Sequence, residues 1–175
     1  MTKAAARLTA GHGFQRTTSA RAGLISLLLV SVSPLLAGTQ PPPNFTGTWK
    51  QNNQLTTPAG TTDRIYTETI DHAGTILKVR IRAISGPGML MDDRLYTIDG
   101  RPHSSPTGSG ERTATARWDG ATLVVETVDQ AKTGDVTRTR RETWVLSQDG
   151  RTLTKTIQIR DGAGENDVRM ILEKQ

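Results

Sequence analysis

The sequence predicts an all-β domain, a single antiparallel up-and-down meander of about eight to ten strands closed into a barrel and preceded by a signal peptide. Three observations carry this. Beyond Asn44, apolar or β-branched runs are separated by Gly-containing turns, and threonine is abundant throughout. Several runs alternate between apolar and charged residues, the two-residue period of a strand with one dry and one wet face. No stretch sustains the 3.6-residue period of an amphipathic helix, which leaves room for at most a short helix in QNNQLTTPAG.

The N-terminus comes first. Met1 to Arg21 contains Lys3, Arg7, Arg16 and Arg21 and no acid, and GLISLLLVSVSPLLAG follows it. A basic region, an apolar run and then a small residue are the order of a secretory signal, here residues 1–38 with cleavage after Ala37. The apolar run is shorter than the ~20 residues needed to span a bilayer, so no integral membrane span is expected after cleavage; an uncleaved anchor is the alternative. Residues 39–43 form a Pro-rich spacer and 44–175 the barrel domain. The expected location is periplasmic or extracellular.

Processing alters the charge. Four of the 22 basic residues and none of the 17 acids lie before Gly38, leaving 18 against 17 in the mature chain. That balance removes bulk attraction to nucleic acid as a partner. With no cysteine, neither a disulfide framework nor a thiolate metal site is available, and the core alone must hold the fold.

The strands follow in order. NFTGTWK is the first; DRIYTETI leads through DHAG into TILKVRIRAI as a hairpin, SGPG breaks the chain, and MLMDDRLYTIDG supplies the next strand. RPHSSPTGSG has the composition of a loop. ERTATARW turns at Asp119-Gly120 into ATLVVETV, since Asp-Gly supplies the positive φ that a tight turn demands. DVTRTRRETWVLS turns at Gln148-Asp149-Gly150 into RTLTKTIQIR, and RDGAGEN turns into DVRMILEKQ. Such a meander must cover its dry faces, and closure removes its edges.

Alternation assigns faces. Leu77, Val79, Ile81 and Ala83 point one way and Lys78, Arg80 and Arg82 the other. In the later strand Arg138, Arg140 and Glu142 share a face with Trp144 and Leu146. Long charged side chains are rarely buried unpaired, so both charged sets are expected to face solvent. Should Lys78, Arg80 and Arg82 point inward, they would form an anion site for carboxylate or phosphate.

With these segments in view, NFTGTWK resembles the opening strand of the lipocalin and fatty-acid-binding protein superfamily, the calycin-type barrels, in which a Phe-x-Gly-x-Trp-Lys pattern sets a tryptophan at the closed end. YTIDGR, ARWDGATLVVET, RETWVLSQDGRTLT and the terminal EK resemble exported bacterial proteins with a similar GTWK strand. The resemblance implies a lipocalin-like barrel that takes a small apolar or amphipathic ligand. Two family features are missing. QNNQLTTPAGTTD stands where fatty-acid-binding proteins carry a helical lid, and Met170 and Leu172 stand where that family commonly has an Arg-x-Tyr carboxylate clamp, with Arg169 on the opposite face.

The candidate ligand-binding residues are therefore Trp49, Tyr66, Trp118 and Trp144 as aromatic wall, with Met170 and Leu172 at the clamp positions. Trp49 reads equally as a core anchor, since a large ring with one N–H serves either role, and Gly47 clears space beside it. Catalytic residues are not expected. His12 leaves with the signal, and His72 and His103 lie in turn or loop sequence, short of a triad or a zinc site. Asp92, Asp93 and Asp99 lack the spacing of a calcium loop, so no metal and no cofactor is called for. An exported small-molecule binding protein is the first reading, a cell-envelope interaction module with a filled barrel the second, and an enzyme the third.

Overall fold

The computed structural model describes residues 41–58 and 64–175. The expected signal at 1–38 lies outside the described residues. Thr39–Gln175 is one compact unit. Ten strands run in order: β1 (Gly47–Gln51), β2 (Ile65–Ala73), β3 (Ile76–Ser85), β4 (Gly88–Thr97), β5 (Pro102–Pro106), β6 (Gly110–Asp119), β7 (Thr122–Ala131), β8 (Val136–Leu146), β9 (Thr152–Asp161) and β10 (Gly164–Lys174). No helix occurs among the described residues, including the described part of QNNQLTTPAG.

All neighbours are antiparallel in the order β4-β3-β2-β1-β10-β9-β8-β7-β6-β5. The sheet curls into a nearly closed barrel because β1 joins both halves: Trp49 lies opposite Glu68 on β2 and opposite Lys174 on β10. At the opposite seam β4 and β6 meet through a single parallel bridge, Ile98 to Ala116. Tight turns connect the hairpins β2–β3, β6–β7 and β8–β9, and Gly74, Gly120 and Gly150 hold the positive φ those turns require.

Three expectations shift. RPHSSPTGSG contributes a fifth strand, since Pro102–Pro106 pairs with Glu111–Thr115 of β6. Its prolines fit an edge strand, where a missing N–H costs no ladder bond. DHAG is mostly strand, because β2 runs through Ala73 and the turn narrows to Gly74 and Thr75. His72 and His103 accordingly sit in β2 and β5 rather than in loops.

Gly47 shows why the opening strand needs a glycine. Its φ is +146°, and a Cβ there would lie 2.7 Å from Lys174 Cε. The freed space lets the Lys174 ammonium lie 5.4 Å from the centre of the Trp49 ring. Gly110 meets a harder limit, because its Cβ would fall 1.9 Å from the Gln130 carbonyl oxygen.

Candidate functional site

The barrel interior has three levels. At the end formed by the β2–β3 and β6–β7 turns it is filled. Phe45, Trp49, Leu77, Leu123, Leu153 and Leu172 are fully buried there. Trp49 donates its indole N–H to the Phe45 carbonyl at 2.8 Å, which satisfies the one polar atom of the ring. Phe45 stacks on His72 and on Trp118, each at 5.8 Å, and meets Trp144 edge-on at 5.7 Å. His72 is buried in this packing, and desolvation pushes its pKa down.

The middle level is ionic. Glu68, Glu142 and Lys155 are buried from solvent. Lys155 pairs with Glu68, which also accepts the Tyr66 hydroxyl proton at 2.7 Å. Glu142 accepts the Trp144 indole N–H at 2.9 Å and lies 2.7 Å from Arg140 and 3.6 Å from Arg94. Arg94 also donates to Asp92 at 2.8 Å. Three cations thus face three carboxylates, the condition under which buried charge is tolerated.

Burial shapes the titration of these groups. It would raise Glu142, but Arg140, Lys155, Arg94 and the Trp144 N–H together hold that carboxyl below its ordinary value. Desolvation lowers Lys155, with Glu68 and Glu142 opposing it. Burial, then the neighbouring Glu68 charge, raises Tyr66 well above the ordinary phenol range.

Above the ionic level lies a cavity of about 510 Å³ that opens toward the β3–β4 and β9–β10 turns. Ile81, Leu90, Ile157, Ile159, Val168 and Met170 line it with apolar surface. Arg64, Tyr66, Arg94, Arg138 and Arg140 face it with four guanidinium groups and a phenol, against the single carboxylate of Asp92. Its volume is within the few hundred to one thousand Å³ typical of small-molecule sites.

Of the candidate ligand residues, the structure brings Tyr66 and Met170 to this cavity. Trp49, Trp118, Trp144 and Leu172 belong to the packed end and the level above it. Lys78, Arg80 and Arg82 are exposed on the outer face, so the inward anion site conditional on them does not form. The expectation that Arg138, Arg140 and Glu142 face solvent is also corrected. Glu142 is buried on the face of Trp144, where it pairs with Arg140 of its own strand and with Arg94 of β4, while Arg138 stays about half exposed and reaches Asp161 of β9. Glu68, Arg94 and Lys155 escaped sequence reasoning altogether. Parity was the available clue, because Lys155 alternates in step with Leu153 and Ile157.

His103 lies beside an acid, its Nε2 at 3.0 Å from both Asp99 carboxylate oxygens, but the pair is exposed at the entry to β5. Among the described residues, no three His, Asp or Glu side chains converge as metal ligands. No described helix is long and apolar enough to cross a membrane.

No protein-family model matches the chain, and no curated protein matches it in sequence. Solved structures do match in fold. The zebrafish ileal bile acid-binding protein complexed with cholic acid is 12% identical with a TM-score of 0.50, over 75% of this chain and 98% of that one. Caenorhabditis elegans lipid binding protein 8 is 13% identical with a TM-score of 0.53, over 75% and 95%. A secretory abundant heat soluble protein from Ramazzottius varieornatus is 12% identical with a TM-score of 0.51, over 74% and 94%. At such identities the likeness concerns the fold alone, an antiparallel up-and-down barrel. It adds nothing to the resemblance with exported bacterial proteins.

Proposed function

We propose that this chain is an exported binding protein that holds a small amphipathic molecule with an acidic end in the open half of its barrel. The observation carrying this reading is the two-sided cavity, apolar along Ile157, Ile159, Val168 and Met170 and cationic along Arg94, Arg138 and Arg140. An apolar body gains by leaving water, at roughly 25 cal/mol per Å² buried. A carboxylate, sulfonate or phosphate end suits guanidinium donors. The bile-acid-binding and lipid-binding proteins that share the fold add support of a general kind. Export rests on the basic and apolar order of residues 1–38.

The test is titration of delipidated protein with a fatty acid, a bile acid and the alcohol analogue of the fatty acid, followed by calorimetry. The acids are expected to bind with one site per chain and the alcohol at least tenfold more weakly, the loss of one charge-assisted hydrogen bond or more. Absence of heat from all three would sink the reading.

A second reading, a cell-envelope interaction module, is favoured by one observation. Ile65, Met89, Met91 and Leu95 are each more than half exposed on the outer face of β2 and β4. Pull-down of an envelope protein that depends on this row, in the absence of any ligand binding, would decide for it.

A further inference from the structure

The seam between β4 and β6 is held differently from the rest of the wall. β4 and β5 are the two ends of the strand order, and β5 is exposed along its whole length. The Ile98–Ala116 bridge and the Gly100 N–H donating to the Ala116 carbonyl at 2.9 Å are backbone links at this seam. Behind it Arg94 and Tyr96 of β4, Arg112 of β6, Asp129 of β7 and Arg138 and Arg140 of β8 converge on a small cavity of about 20 Å³. It is a small space, above the minimum of about 10–15 Å³ that a single guest of water size needs, and of a scale that suits a monatomic ion.

Donors outnumber acceptors around this space. Each guanidinium carries five N–H groups. Arg112 uses two of its own on Asp129, at 2.6 and 3.1 Å. Arg94 donates to Asp92 at 2.8 Å and Arg138 to Asp161 at 3.3 Å, and Glu142 lies 2.7 Å from Arg140 and 3.6 Å from Arg94, but none of these three carboxylates lines the cavity. Tyr96 is 3% exposed, and its hydroxyl has no acceptor for its proton among the described residues. Burial, followed by the charge of Glu142, pushes its pKa up to about 12, so the proton stays in place at neutral pH.

We propose that this pocket is a binding site for a single halide-sized anion, such as chloride, which accepts from Tyr96 and the surrounding guanidinium groups and ties β4 to β6 across the seam. A halide accepts from several directions at once, which suits donors arriving from three strands. It is separate from the amphipath reading, although Arg94, Arg138 and Arg140 border both spaces.

The experiment uses ligand-stripped protein, so failure of amphipath binding does not touch it. Melting temperature is measured in sodium chloride, bromide and gluconate at equal ionic strength, and crystals grown in bromide are scanned for anomalous scattering. The expected result is a halide-specific rise in Tm that grows with concentration. A bromide peak among Tyr96, Arg112 and Arg140 is expected with it. Tyr96→Phe keeps the ring packing and is expected to weaken halide affinity about tenfold or more, the loss of one hydrogen bond to a charged acceptor. Equal melting temperatures in halide and gluconate, a pocket without bromide, or a halide response unchanged in Tyr96→Phe would each overturn the proposal.

Discussion

The Lys155 ammonium lies 3.4 Å from the centre of the Trp144 ring while pairing with Glu68 on the far side of the barrel. One lysine thus joins β9 to β2 through charge and to β8 through a cation–π contact. All of this is buried, so each partner depends on the others.

Removing one member should therefore cost more than removing a pair. Lys155→Met leaves Glu68 buried without its cation and is expected to destabilise the fold by about 3–5 kcal/mol. Adding Glu68→Gln to that variant should recover much of the loss, because the orphaned charge is gone. Urea unfolding of both single variants and the double variant measures the coupling. Additive losses would show that the two side chains act independently.

Acid sensitivity follows from Glu142. Its folded pKa lies below the ordinary carboxyl value, with burial opposed by Arg140, Lys155, Arg94 and Trp144. A depressed folded pKa means that the unfolded chain binds the proton more readily. The stabilisation is therefore full above the unfolded value, about 4.3, and is lost as pH falls through the lower folded value. Denaturant unfolding between pH 6 and pH 3 should show this decline, and Glu142→Gln should flatten it while lowering stability at pH 6.

Much of the architecture was legible in the residues, and the reason is local. Asp119-Gly120 and Gln148-Asp149-Gly150 mark turns by their own chemistry, and Leu77 to Ala83 shows its dry face by parity alone. The fifth strand was hidden because Pro102 and Pro106 read as loop residues until an edge partner is supplied by β6. The site was hidden for a different reason. Parity already placed Arg138, Arg140 and Glu142 with Trp144, but a charged face reads as wet unless its counter-charges are visible. Arg140 and Glu142 answer each other within β8, but Arg94, Lys155 and Asp161 come from β4 and β9, which adjacency in sequence does not reveal.

Gly110 tests the packing of β6 against β7. A Cβ there would meet backbone, the Gln130 carbonyl oxygen at 1.9 Å, so β6 and β7 would have to part where their pairing begins. Gly110→Ala is expected to cost about 1–3 kcal/mol, the usual penalty for overpacking. Thermal unfolding gives the value, and a Tm equal to that of the parent would contradict the close approach.

Trp49 and Met170 separate stability from binding. Trp49→Phe removes the indole N–H that bonds Phe45 and leaves a buried carbonyl without that donor, a loss of about 1–3 kcal/mol. The cavity does not include Trp49, so fatty-acid affinity should stay unchanged. Met170→Ala enlarges the cavity wall itself and should change affinity while leaving the packed end intact. Parallel unfolding and calorimetric titration of the two variants distinguish these outcomes.

The two arginine faces give the most direct test of where an acidic ligand would sit. Arg80 and Arg82 point outward, and Arg80 pairs on the surface with Asp93 at 3.0 Å. Arg138 borders the cavity, is about half exposed, and has only a 3.3 Å contact to Asp161. Its replacement therefore disturbs the buried network less than replacement of Arg94 or Arg140. Arg138→Gln is expected to weaken binding of a fatty acid about tenfold, while the Arg80→Gln, Arg82→Gln double variant leaves it unchanged. Raising salt should weaken the parent's binding only modestly, because the cavity shields its charges from the full Debye atmosphere. Equal affinities for all three proteins would move the acidic end of the ligand away from the β8 arginines.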